Sequence, residues 1–428
     1  VRAIPRRLLP CTAVTAALTL VGGCGLGSSS VESATDAEER GPISFATSDT
    51  SGVVPTLIKR WNDRHPGEKA TFIELPEDAD QQRQMMIQNA QLKTDTYTVL
   101  NLDVVWTSEF ASHRWIDELP ADSFPFKRTL GSINDTAGYR GKWFTMPYAS
   151  DGAMLYYRKD LLEKAGVEKP PETWDEMREI CDEVLGEQKS KMSCYGGQME
   201  KYEGLTVNFS EAVNSAGGEV TDAKGIPHLD TPEARRGMDN MVRSLRDGTI
   251  PKSGITYMEE QGRRAFEKGD LLFYRNWPYQ YAISDKKAKN NEVAGKFGVA
   301  PIPGEKGPGA SSLGGHNLAL SSSARNKATA LDFMRFMTNE ESSRLKLEKA
   351  SLAPVFANLY DEPEYVKKFP YLPVLKKSIL GAEPRPRVVQ YGDATKAIQN
   401  EAYSALTGKK TSRAALRGLQ RQLRALAP

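Results

Sequence analysis

The chain has little of what a metal site, a membrane span or a nucleic-acid surface needs. Only four of its 428 residues are cysteine and four are histidine. His65, His113, His228 and His316 are scattered with no ligand spacing, so no metal and no cofactor are expected. Beyond the first two dozen residues there is no run of about 20 apolar side chains, which excludes a spanning helix in the body. Basic residues form no long run or stripe and the formal net charge is only +2, so nucleic acid is not an expected partner. No internal repeat is present. Hydrophobic residues at 39% and charged residues at 26% are those of an ordinary globular chain long enough for two or three lobes.

The N-terminal segment is the most readable part. Arg2, Arg6 and Arg7 precede a mostly apolar stretch over residues 8–21, too short to span a bilayer comfortably, which ends in Val21-Gly22-Gly23-Cys24. This resembles a bacterial lipoprotein signal peptide, although Gly22 is less usual at its position. The resemblance implies removal of residues 1–23 and lipidation of Cys24. Loss of the three arginines takes the net charge from +2 to about −1. Residues 24–41 are rich in serine and acidic side chains and cannot bury a core, so they read as a lipidated cysteine and flexible tether. The seventeen residues 25–41 reach on the order of 23 Å as a random coil.

The body opens as strand, helix, strand, helix, strand. Ile43-Ser44-Phe45-Ala46, Ala70-Thr71-Phe72-Ile73 and residues 99–102 are apolar and short. Between them Val54, Leu57, Ile58 and Trp61 fall at i, i+3, i+4 and i+7, and residues 80–92 have helical composition. The order predicts an α/β lobe with a largely parallel sheet. Further on, Thr173-Trp174-Asp175-Glu176 is a capping box and Thr231-Pro232 starts another helix, with Met238, Met241, Val242 and Leu245 as its buried face. Ala330, Phe333, Met334 and Met337 mark a later helix. Glycine and proline cluster over residues 141–147, 301–309 and at Gly314-Gly315, the candidate crossings between lobes. If Cys11 leaves with the signal and Cys24 carries lipid, Cys181 and Cys194 remain, and in an oxidising compartment a disulfide is their natural use; two buried free thiols are the alternative.

Several segments together resemble the extracellular solute-binding proteins of sugar ABC transporters, in the trehalose/maltose class of family 1. They are Asn101-Leu102-Asp103-Val104-Val105-Trp106, Asp151-Gly152-Ala153-Met154-Leu155-Tyr156, Tyr202-Glu203-Gly204-Leu205, Asn276-Trp277-Pro278-Tyr279, Gly314-Gly315-His316-Asn317 and Glu383-Pro384-Arg385-Pro386. No single motif is specific; their order and spacing are. The resemblance implies an α/β, two-lobed periplasmic-binding-protein fold of type II, a flytrap with three interlobe crossings. It implies no enzyme activity. It implies a monomer that captures a small sugar and delivers it to permease subunits driven by a cytoplasmic ATPase. Its place would be the extracellular face of the cytoplasmic membrane, held by the lipid anchor, in a Gram-positive cell. Lobe 1 is expected over 42–148 plus 282–313, and lobe 2 over 149–281 plus 314–428.

A sugar offers hydroxyl rims, which suit carboxylates and arginine, and C–H faces, which suit aromatic rings. The ligand-binding candidates are Asp103, Asp151, Trp277, Arg385, Glu203, Glu259, Gly315 and His316. Asp103 ends an apolar strand, where an α/β cleft collects ligand contacts. Asp151 follows Pro147-Tyr148 beside the first expected crossing. Trp277 sits in a loop after an apolar run, and Arg385 is stiffened by flanking prolines. Glu203 and Glu259 suit a cleft or a solvated or structural role equally, and adjacent Glu260 makes the second assignment ambiguous by one residue. His316 stands where some trehalose/maltose binders that resemble this segment carry tryptophan, which leaves the sugar open among maltose, trehalose, other α-glucosides and longer oligosaccharides. A glycoside hydrolase is the rival in which Asp103 and Asp151 would be the acid and the nucleophile or base. A binder of another solute in the same fold is the second rival.

Overall fold

The computed structural model describes residues 39–186 and 192–427. The signal segment, Cys24 and most of the tether lie outside the described residues. Among the described residues no helix is long and apolar enough to cross a membrane.

Two sheets carry the architecture. The first has five strands in the order Ala70–Glu74, Ile43–Thr47, Val99–Asp103, Gly314–Leu320 and Thr145–Asp151. The first three are parallel, joined by the helices Val53–Arg64 and Ala79–Gln91; Gly314–Leu320 runs antiparallel to both its neighbours, so Thr145–Asp151 again points with the first three. Val53–Arg64 buries Val54, Leu57, Ile58 and Trp61, the face its 3.6-residue period marks. Lys327–Thr338 covers the last two strands with Ala330, Phe333, Met334 and Met337. The second sheet has four strands in the order Phe297–Ala300, Met154–Arg158, Leu271–Asn276 and Ser193–Gly196. Trp174–Leu185 starts at the Thr173–Glu176 capping box, and Thr231 caps Pro232–Arg246. Cys181 and Cys194 form a disulfide, Cα to Cα 5.5 Å, that ties Trp174–Leu185 to the edge strand Ser193–Gly196. The C-terminal helices Tyr391–Leu406 and Ser412–Leu426 pack with Glu203–Ser215 and Pro232–Arg246.

This is the two-lobed α/β binding-protein fold, but the lobe boundaries differ from those expected. Residues 282–313 do not belong to the first lobe: Phe297–Ala300 pairs with Met154–Arg158 in the second sheet. Gly314–Leu320 does not belong to the second: it pairs with Val99–Asp103 and with Thr145–Asp151. The first sheet likewise keeps its last strand through Asp151, three residues beyond the expected limit. Residues 141–147 are no crossing either, because Gly138–Tyr139 and Lys142–Trp143 close a hairpin there, with Arg140 and Gly141 both at positive φ.

The chain crosses between the sheets after Asp151, between Ala300 and Gly314, and between Leu380 and Tyr391. The crossings are laced together. The Ala153 amide donates to Ser311 Oγ at 2.8 Å, the Leu313 amide to the Glu383 carbonyl at 2.8 Å, and the Glu383 amide to the Ser311 carbonyl at 2.8 Å. Gly152 has no room for a side chain, because a Cβ there would lie 2.6 Å from Ser378 Oγ.

Candidate functional site

The sheets face each other across a cavity of about 200 Å³. All eight candidate residues border it. They come from separate elements, and each has a different local reason for its place.

Asp103 ends its strand, and its Oδ1 accepts from the Val105 amide at 3.1 Å, which turns the chain toward the cleft. The Arg385 guanidinium grips it as a fork, Nη2 to Oδ1 2.6 Å and Nη1 to Oδ2 3.1 Å. Nη1 also donates to Glu203 Oε1 at 2.6 Å. Glu203 opens the helix Glu203–Ser215 and accepts further from the Tyr391 hydroxyl and from Thr395 Oγ1 at 2.7 Å. Arg385 is only 2% exposed. It therefore joins a carboxylate of the first lobe to one of the second, and two of its nitrogens are already engaged. Burial pushes the Glu203 carboxyl upward and Arg385 pulls it back. A second bond spans the lobes nearby, Gln399 Nε2 to Asp80 Oδ2 at 3.0 Å.

Asp151 ends the strand that leads into the first crossing. It is buried, and its Oδ1 has no hydrogen-bond partner. Burial, then the like charge of Asp103, push its pKa up to about 7; Arg275 and Lys346 oppose this. Trp277 follows the strand Leu271–Asn276. The Arg275 guanidinium lies 3.9 Å from the centroid of its ring, and that guanidinium is fixed in turn by Glu211 at 2.8 and 2.5 Å. Both partners of the ion pair are buried. The indole Nε1 donates to Glu259 Oε1 at 3.4 Å. The ring edge lies against Gly314, where a Cβ would come within 2.8 Å of it.

Glu259 accepts from the Tyr202 hydroxyl at 2.5 Å, and burial raises its pKa against that bond. Glu260 is committed elsewhere, to Arg263 at 2.6 Å and to the Tyr279 hydroxyl at 2.9 Å. Both glutamates border the cavity, and the side-chain donors to Glu259 are the neutral Tyr202 hydroxyl and Trp277 indole. Gly315 stands at φ 109°, with the Ala149 carbonyl 2.2 Å from where its Cβ would be, so its part is in the backbone. His316 is half-buried and sits opposite Asp103 in the strand register; burial lowers its pKa, which favours the neutral ring.

Sequence reasoning missed several lining or supporting groups. Asp49 sits in a loop at the carboxyl end of Ile43–Thr47 and accepts from the amides of Ser51, Gly52 and Val54. Its place after a strand of an α/β sheet was a usable signal. Arg275, which orients Trp277, and Lys346, which is discussed below, carry no such signal. Among the described residues no cluster of His, Cys, Asp and Glu is placed to hold a metal ion.

Two α/β lobes hinged by three laced crossings around one polar and aromatic cleft define a periplasmic-binding-protein-type fold. The chain belongs to the bacterial extracellular solute-binding protein family, whose sequence model matches residues 47–343. It is 32% identical over 367 residues to a probable ABC transporter-binding protein of Deinococcus radiodurans, covering 83% of this chain and 86% of that one. It is 22% identical over 338 residues to a mannitol-binding protein of Pseudomonas aeruginosa, covering 77% and 76%. Its structure is similar to that of maltose-bound MalE3 of T. maritima, with 29% identity and a TM-score of 0.85 over 90% of this chain and 99% of that one.

Proposed function

We propose that the protein is the sugar-binding subunit of an ABC importer and holds an α-linked glucose disaccharide, such as maltose or trehalose, in the interlobe cleft. The observation that carries this reading is the pairing of buried Asp151, whose Oδ1 is unpartnered, and half-buried Glu259 with the indole of Trp277. Carboxylates take hydroxyl rims and the indole takes a C–H face. Asp103, Glu203 and Arg385 form the floor, Gly315 keeps the backbone close, and His316 meets the sugar's edge. The similarity to maltose-bound MalE3 supports the choice of an α-glucoside, while the likeness to a mannitol-binding protein keeps a polyol as the second reading.

A thermal-shift screen with maltose, trehalose, sucrose and mannitol tests it, because a ligand that binds only the folded state raises its stability by mass action. An α-glucoside should give the largest shift. A response to mannitol alone selects the second reading, and no response to any of the four sinks both. Incubation with maltose and trehalose should release no glucose, as expected of a carrier rather than a hydrolase.

In this reading a monomer, anchored through Cys24 at the extracellular face of the cytoplasmic membrane of a Gram-positive cell, hands the sugar to permease subunits. Replacing Cys24 with serine should release the protein into the medium; a variant that stays with the membrane rules this anchor out.

A further inference from the structure

A buried polar chain runs behind the cleft wall, and the sugar reading uses only its outer end. The Arg275 guanidinium lies against the face of the Trp277 ring and is 1% exposed. All three of its nitrogens are engaged: Nε and Nη2 by the Glu211 fork, and Nη1 by Gln198 Oε1 at 3.1 Å. A planar guanidinium held along its edge keeps its face for the indole. Glu211 Oε1 accepts one bond more, from the Ser312 amide at 3.0 Å. Ser312 lies on the second crossing, and its hydroxyl donates to the Val207 carbonyl at 3.3 Å. Two residues further on, Gly314 meets the edge of the Trp277 ring. Ring, guanidinium, carboxylate and crossing thus close a circuit of contacts, and Gln198, Glu211, Arg275 and Ser312 are all buried in it.

The helix Glu203–Ser215 holds this circuit together. Glu203, Val207, Glu211 and Ser215 recur every four residues and share a face. Glu203 holds Arg385 of the third crossing, Val207 and Glu211 hold Ser312, and Ser215 Oγ accepts from the Ala310 amide at 3.0 Å. A buried ion pair is weak evidence of a gain in stability, whereas a fully bonded polar network fixes geometry.

We propose that Glu211 and Arg275 are positioning residues that couple the Trp277 ring to the second crossing. The pair fixes the plane of the ring from behind and passes any displacement of it to Ser312, so that contact at the ring and the setting of the hinge act on each other. Glu211 does not itself border the cavity. The part concerning the ligand rests on the reading of the cleft given above; the tie between ring and crossing does not.

The test begins without sugar. The six tryptophans are replaced by 5-fluorotryptophan, and Trp277→Phe assigns the Trp277 ¹⁹F resonance. Glu211→Gln is the probe: whichever way its amide turns, its NH2 group meets a donor of Arg275 or the Ser312 amide. In that variant the Trp277 resonance should shift and the Ser312 amide should exchange at least about threefold faster, while the amides of Val53–Arg64 keep the wild-type rate. Trp277→Ala should speed Ser312 exchange too, and the double variant should exchange no faster than the faster single, because both changes break one chain. An unmoved ring or an unchanged Ser312 amide in folded Glu211→Gln overturns the proposal. Single effects that multiply in the double variant overturn it as well, since the ring would then act on the crossing through Gly314 alone. Should Glu211→Gln fail to fold, Arg275→Lys takes its place, keeping a charge for Glu211 but offering the indole no plane. The ring resonance should then shift, and adding Trp277→Ala should leave Ser312 exchange where it was; a ring that stays, or a further rise in exchange, overturns the proposal. Maltose calorimetry is a separate arm, in which Glu211→Gln should weaken binding about threefold to tenfold. A wild type that binds no maltose while ring and crossing respond sinks the reading of the cleft and leaves the coupling standing. Undiminished maltose binding in Glu211→Gln overturns the part concerning the ligand.

Discussion

Arg385→Met should be among the most damaging single changes to this protein, and the reason can be worked through from its contacts. Methionine keeps much of the stem and removes the guanidinium. Glu203 then keeps Tyr391 and Thr395 as donors but loses its cation, and Asp103 keeps only the Val105 amide. Both carboxylates are poorly exposed, with side chains at 4% and 15%. Removing one member of a buried ionic cluster costs about 3–5 kcal/mol, because the remaining charge is stranded rather than because the pair was strongly favourable. Urea unfolding followed by tryptophan fluorescence measures the loss. Asp103→Asn should cost less, since that carboxylate is nearer water. The double variant should be less damaged than the sum of the two singles by about 1–3 kcal/mol, because both act on one cluster. Arg385 also joins the two lobes, so small-angle scattering without sugar should show a larger radius for Arg385→Met. A variant within 1 kcal/mol of wild type, with additive single effects and an unchanged radius, would refute the reasoning.

Trp277→Ala should lower affinity for the bound sugar roughly tenfold to a hundredfold and leave Arg275 without its aromatic partner; calorimetry on the folded variant measures it. Asp151→Asn should weaken sugar binding while raising stability above pH 7. The folded pKa lies near 7 against an ordinary value near 4, so the native state holds the proton longer than the unfolded chain. Stability attributable to this group is therefore greatest below about pH 4 and falls as the pH rises to 7, by on the order of 4 kcal/mol, and is flat above. Asparagine removes that slope, and unfolding curves at pH 5 and pH 8 compare the two proteins. Reduction of the Cys181–Cys194 disulfide, which closes a loop with a sequence separation of 13, should cost about 3 kcal/mol in the chain-entropy model, read as a lower urea midpoint. Equal midpoints for the oxidised and reduced proteins would count against it.

What the sequence made legible is what depends on near neighbours. The buried face of Val53–Arg64 follows from the spacing of Val54, Leu57, Ile58 and Trp61, and the Thr173 cap from a pattern four residues long. Asp103 was readable as a cleft-lining candidate because an apolar strand ends on it. The lobe boundaries were not, because glycine and proline mark tight turns and crossings alike. The cluster at 141–147 contains a hairpin turn that needs positive φ at Arg140 and Gly141, whereas the cluster at 301–309 lies on a true crossing. The strand Gly314–Leu320 was misplaced for a related reason: its partners Asp151 and Asp103 lie far back along the chain, and nothing local encodes antiparallel pairing at that separation.

Arg385 shows the same limit at the level of chemistry. Its residue type and its stiff Pro-Arg-Pro setting pointed to the cleft, and it is there. Its carboxylate partners stand 182 and 282 residues away, so its division between holding the lobes and meeting a ligand could be read only from geometry. Lys346 is the extreme case. Between Leu345 and Leu347 on an otherwise charged helix it reads as one more solvated lysine, and only the fold turns it inward onto the Tyr148 carbonyl. A buried charge is costly unless something fixes it, and here the fixing groups belong to the strand that carries Asp151. The residues that tune a cleft of this kind are thus better sought among the buried charges one layer behind its wall than among the conspicuous side chains that line it.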